Sequence, residues 1–155
     1  MPDRFVRGFL AGTISGIIGA LVALVLIPLD LTPQIDFYDF AGILAVGRIP
    51  QTLGERAMGV FVDLVVSGVL GVIFAFLLLG IGTKYLLLKG WFYATAIWYA
   101  YYPLLLMIMA EEVKVMDVRT SLINAILAGF FGLVMAAAYF WLTPQSERVA
   151  HRPTP

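Results

Sequence analysis

The sequence predicts an all-α protein: a four-transmembrane-helix bundle with both termini on the cytoplasmic side and a short interfacial helix in the first outer loop. Three observations predict it. Four predominantly apolar stretches, each near the roughly 20 residues needed to cross the hydrocarbon region of a bilayer, are separated by charged segments. The 155 residues are 61% hydrophobic and 13% charged, with a mean hydropathy of +0.95, whereas soluble domains are roughly half apolar and a quarter charged. A chain of this length cannot hide such an excess in one water-surrounded core, so lipid is the solvent that suits it. Lys and Arg, finally, fall unequally on the two sides that the four stretches define. Arg4, Arg7, Lys84, Lys89, Arg148 and Arg152 lie on the side of the termini, against Arg48, Arg56, Lys114 and Arg119 on the other, which by the positive-inside rule makes the first side cytoplasmic.

The whole of 1–155 reads as a single membrane domain. Its first span, 8–27, follows Arg4 and Arg7 and stops at Pro28-Leu29-Asp30; it is too long for a signal peptide and lacks a small-x-small cleavage site. In the loop that follows, 36–47 reads as a short helix. Asp36 suits its N-cap, Asp39 the positive end of its dipole and Gly47 its exit. Phe37, Phe40, Ile43 and Leu44 fall at helical spacing, and the segment is too short to cross, so it is expected along the outer membrane surface. The alternative is a lid packed over the ends of the spans. The second span, 53–81, starts at a capping box, Thr52-Leu53-Gly54-Glu55, in which hydroxyl and carboxylate each accept a hydrogen bond from an otherwise unpaired backbone amide. The third is 91–110 and the fourth 121–142, leaving a polar tail, 143–155. Trp91, Phe92, Tyr93, Tyr139, Phe140 and Trp141 form an aromatic belt at the cytoplasmic boundary.

Composition removes several function classes. The formal net charge is +0, so there is no basic field to collect nucleic acid, and no nucleic-acid partner is expected. Cysteine is absent, and the single His151 sits in the polar tail, which excludes thiolate chemistry and leaves no cluster for a metal. No cofactor, metal or catalytic residue is expected, and nothing in the pattern argues for an enzyme.

Two faces carry a packing signal. Gly8, Gly12, Gly16 and Ala20 recur at four-residue spacing in the first span, beside a second small row, Ala11, Ser15 and Gly19. The fourth span repeats the device with Asn124, Ala128, Gly132 and Ala136, beside Ala125 and Gly129. Small residues at this repeat let backbones approach closely, and such packing replaces the hydrophobic drive that lipid does not supply. Contact within the chain is the expectation, and a second copy is the other candidate.

Asp63 is the residue most costly to place, since an aspartate at mid-membrane costs about 2.5–3.5 kcal/mol on insertion scales. It is therefore expected to face the bundle or a wet crevice. Ser67 lies one turn deeper on the same face, and Tyr101, Tyr102 and Asn124 come to a similar depth, so these five form a candidate intramembrane polar cluster. Pro103 frees a carbonyl near Tyr99 and adds a kink. A hydrogen-bonded clasp without a ligand is one reading of this cluster and a binding or proton-relay site the other. The aromatic residues Trp98, Tyr99, Tyr101 and Tyr102 read first as core.

The run Asp39-Phe40-Ala41-Gly42-Ile43-Leu44-Ala45-Val46-Gly47-Arg48, together with Thr52-Leu53-Gly54-Glu55 and Leu88-Lys89-Gly90-Trp91, resembles segments of small four-helix membrane proteins of Gram-positive bacteria, the YqhR-like proteins. The resemblance implies an architecture and a bacterial plasma-membrane location, and it carries over no catalytic residues. The function expected from all this is a structural or interaction component of a membrane assembly, whose partners are the bilayer and either a second copy or other membrane proteins. The alternative is a small oligomeric transporter or channel component that uses Asp63 as a proton or cation site.

Overall fold

The computed structural model describes residues 3–26, 28, 37–108 and 117–144, with all side chains among them except those of 37 and 102–108. The described residues form five α-helices and no strand: α1 Arg4–Leu26, α2 Phe37–Val46, α3 Leu53–Ile81, α4 Leu86–Ile108 and α5 Val118–Leu142. Among them α1, α3 and α5, of 23, 29 and 25 residues, are long and apolar enough to cross a membrane. Their outward faces are apolar: Ile17, Leu21, Phe61, Val65, Val69, Ile73, Leu122 and Ile126 are all exposed. An apolar surface this extensive is rare on a soluble monomer.

Helix ends differ from the expected spans for a local reason. Asp3 accepts a hydrogen bond from the Val6 amide at 2.8 Å, so α1 starts at Arg4 rather than Gly8. Asp117 does the same for the Thr120 amide at 2.8 Å, so α5 starts at Val118 rather than Ser121. Gly82 and Tyr85 turn the chain with φ of 67° and 57°, and α4 begins at Leu86 rather than Trp91. Capping, not the edge of the apolar run, decides where a helix begins. The capping box of α3 forms: Thr52 Oγ1 accepts from the Glu55 amide at 3.2 Å, and Glu55 Oε2 accepts from the Thr52 and Gln51 amides at 3.2 and 2.8 Å. Arg48 adds an ion pair to Glu55 at 2.5 Å. At the other end of α3, Lys89 Nζ donates to the carbonyls of Ile81 and Gly82 at 2.5 and 3.0 Å, closing orphan acceptors at the negative end of the dipole. Gly47, at φ 77°, ends α2 as its position suggests. The Asp36 cap and the ends of the expected first and third spans, at Ile27 and Ala110, lie outside the described residues, as do Arg148, His151 and Arg152.

The bundle is two antiparallel pairs, each joined by small residues. α1 packs on α3 and α4 on α5, and α1 also meets α5. A Cβ added to Gly8 would stand 2.7 Å from the Gly71 carbonyl and 2.8 Å from the Ala75 methyl; one on Gly12 would overlap the Ser67 carbonyl, and one on Gly16 would stand 2.9 Å from Ser67 Oγ. The Gly8, Gly12, Gly16 row is thus spent on Ser67, Gly71 and Ala75 of α3. The neighbouring row turns to α5: Ala11 is fully buried, and the Ser15 hydroxyl donates to the Phe131 carbonyl at 2.7 Å. In the second pair Gly132 and Ala136 meet Gly90, and Gly132 also meets Ala94. The Gly8, Gly12, Gly16 row thus meets α3 and the Gly132, Ala136 row meets α4, while Ser15 of the neighbouring row reaches α5.

These contacts place the start of α1, the end of α3, the start of α4 and the end of α5 at one end of the bundle. That end is tightly filled by Phe74, Leu78, Tyr93, Met135 and Tyr139. At the opposite end α2 packs on α3, with the Tyr38 carbonyl against Gly59 and the Pro50 ring against Gly42. Phe40 and Ile43 join Trp98 and Ala128 in a second, smaller core. Two of the apolar residues expected on the membrane surface are thus buried against the bundle, while Leu44 remains exposed. α2 has the arrangement of a lid.

Candidate functional site

The second small row of α1 explains how a cavity opens. Ala11 and Ser15 are held against neighbouring helices, but a Cβ at Gly19, one turn on, would meet nothing within 4 Å. Beyond Ser15 the helices part. The space between them is a cavity of about 510 Å³, inside the roughly 300–1,000 Å³ usual for small-molecule sites. Its walls come from positions 16–26 of α1, 60–70 of α3, 94–101 of α4 and 127–131 of α5, and its cover from Tyr38, Phe40, Ala41 and Leu44 of α2.

Its floor is the place where the helices come back together. Leu70 and Phe131 line it, and their carbonyls accept hydrogen bonds from the Tyr93 hydroxyl at 2.9 Å and the Ser15 hydroxyl at 2.7 Å. Such interhelical bonds contribute roughly 0.6 kcal/mol each in a membrane bundle. The rim is open along three helices, since the lining residues Leu24, Leu44 and Val60 are exposed.

Of the predicted cluster, Asp63, Ser67 and Tyr101 line this one cavity. Asp63 is half-buried. Ser67 is buried beside Gly16, where the cavity narrows. Asn124 is fully buried one turn before the lining residue Ala128, in the packed layer rather than on the cavity wall. The side chain of Tyr102 and the consequences of Pro103 lie outside the described residues, although α4 continues through both.

Two further groups line the cavity: Trp98, which the sequence reads as core, and Tyr38, which escaped the sequence reading. Trp98 is held edge-on to Phe40, ring centroids 5.5 Å apart, so it belongs to the core and to the wall at once. Its position three residues before Tyr101 on α4 was the available signal; Tyr38 had none, because only the docking of α2 brings it over the opening.

Asp63 is the one carboxylate among the lining residues. A carboxylate there can bind a cation or hold a proton. Apart from Ser67, the rest of the described wall is apolar or aromatic, the composition usual for small-molecule sites. No family model, curated protein or solved structure matches this chain, so the reading of the cavity rests on its own geometry.

Proposed function

We propose that this protein is a four-span integral membrane protein with both termini in the cytoplasm, a non-catalytic interaction component of a membrane assembly whose binding site is the cavity beneath α2. The fourth span is α4, whose exposed side chains Leu87, Leu88, Trp91, Phe92 and Tyr99 continue the apolar belt of α1, α3 and α5. The resemblance to YqhR-like proteins supports a bacterial plasma membrane as its location. One observation carries the reading: a cavity of about 510 Å³ lies where the small-residue contacts end. The rows that could have served as seams between copies are spent inside the chain, which moves the argument for a partner from the helix faces to this cavity.

Gly19 supplies the test, because it lines the cavity and a Cβ added there meets nothing within 4 Å. Gly19→Trp should fill the space without disturbing helix packing. Native mass spectrometry of protein gently extracted from membranes is expected to show a bound small amphiphile on the wild type and none on the variant, with equal helix content. A wild type free of any adduct would overturn the reading. Transport is the second reading, favoured by the placement of Asp63 on the cavity wall; it predicts that Asp63→Asn abolishes flux in vesicles while leaving the fold intact.

A further inference from the structure

The polarity of the cavity is graded along its length. Positions 16–26 of α1, which line one side, extend about 15 Å at 1.5 Å per residue, half of a hydrocarbon layer about 30 Å thick. The cavity is therefore about one leaflet deep. Toward the floor it is bounded by Leu70, Ala94 and Phe131; toward α2 it presents Tyr38, Asp63, Trp98 and Tyr101. Three aromatic rings and one carboxylate around a common space are the chemistry that recognises an ammonium group, which is attracted to ring faces and to negative charge together. A phosphate would face the Asp63 carboxylate with no cationic side chain among the described lining residues.

We infer that the cavity takes a single-tailed cationic amphiphile, its alkyl tail along α1 toward Leu70 and Phe131 and its ammonium head among Tyr38, Asp63, Trp98 and Tyr101. This rests on the proposed binding role and names the ligand class. The tail supplies apolar contact that any chain would make, and the carboxylate and rings supply the selection for positive charge. Trp98, fixed against Phe40, offers a preorganised ring that loses little entropy on binding.

The test uses the full chain in lipid nanodiscs and three probes of equal tail length: dodecyltrimethylammonium, its neutral carbon isostere ending in a tert-butyl group, and dodecyl phosphate. Equilibrium binding is expected to favour the ammonium by about tenfold over both others, a factor that corresponds to about 1.4 kcal/mol. Asp63→Asn should bring the ammonium down to the level of the isostere, and Asp63→Glu should restore the preference. If Asp63→Asn does not fold, the comparison among probes on the wild type still decides. Equal binding of all three, abolished by Gly19→Trp, would overturn the choice of a cation and keep the cavity as a binding site. Binding of none would overturn both.

Discussion

Two glycines seven residues apart on α1 behave oppositely. Gly12 lies so close to α3 that any Cβ overlaps the Ser67 carbonyl, a backbone atom that cannot swing away, whereas Gly19 borders open space. Gly12→Val is therefore expected to cost at least about 1–3 kcal/mol, the usual toll of overpacking, and to separate α1 from α3. Gly19→Ala should instead stabilise by about 0.5–1 kcal/mol, because alanine loses less backbone freedom on entering a helix. Unfolding in mixed micelles by a denaturing detergent reads both changes; equal signs would contradict the parting of the helices beyond Ser15. Asp63 belongs to this scale too. The sequence shows a carboxylate too deep to be comfortable, and the structure gives it a wall to stand on, which it shares with Tyr101 and with Ser67 one turn on.

For whole helices, stability and register depend on their caps. The box at Thr52, tied to Arg48 through Glu55, sets the phase of α3 and so the direction in which Asp63, Ser67 and Gly71 point. Thr52→Ala is expected to cost about 1 kcal/mol, with faster amide exchange at Glu55 as its local mark. The start of α5 is sensitive to acid. Hydrogen bonds to Asp117 from the Thr120 hydroxyl, and then from its amide, hold the Asp117 carboxyl below its ordinary value of 3.8. Because the folded form is the stronger acid, this contribution is complete above that value and is lost as pH falls through the lower folded one. Amide exchange at Thr120 should accelerate on acidification through that range, and Asp117→Asn, which keeps an acceptor but cannot titrate, should remove the pH dependence. α3 itself, at 29 residues, is about 43 Å long, longer than the hydrocarbon layer.

At the level of the molecule, tight packing at one end and parting at the other divide the bundle into a scaffold and a site. Gly8, Gly12, Gly90 and Gly132 bring backbones together at the end where α1 starts and α5 finishes, and α2 covers the opposite end. The proposed four-span topology predicts that tags on both ends react with an impermeant reagent only after the cells are opened, while a cysteine at exposed Leu53 or Val118 reacts in intact cells. Labelling of either tag from outside would turn the bundle over or change the number of crossings.

Apolar length and local capping were legible in the sequence: five helices, the whole extent of α3, the short helix of the first loop with its glycine exit, and the small-residue rows of α1 and α5. These follow from hydrophobicity and backbone chemistry within a few residues, so no distant contact is needed to read them. Which faces meet was not legible. A row of small residues states that something comes close without saying what, and Ser67, Gly71 and Ala75, together with Gly90 and Ala94, became partners only when antiparallel registers were chosen. The cavity is further still from the sequence. It exists because α1 and α5 part beyond Ser15 and because α2 docks over the gap, and a void is a property of how helices diverge, which no single residue encodes.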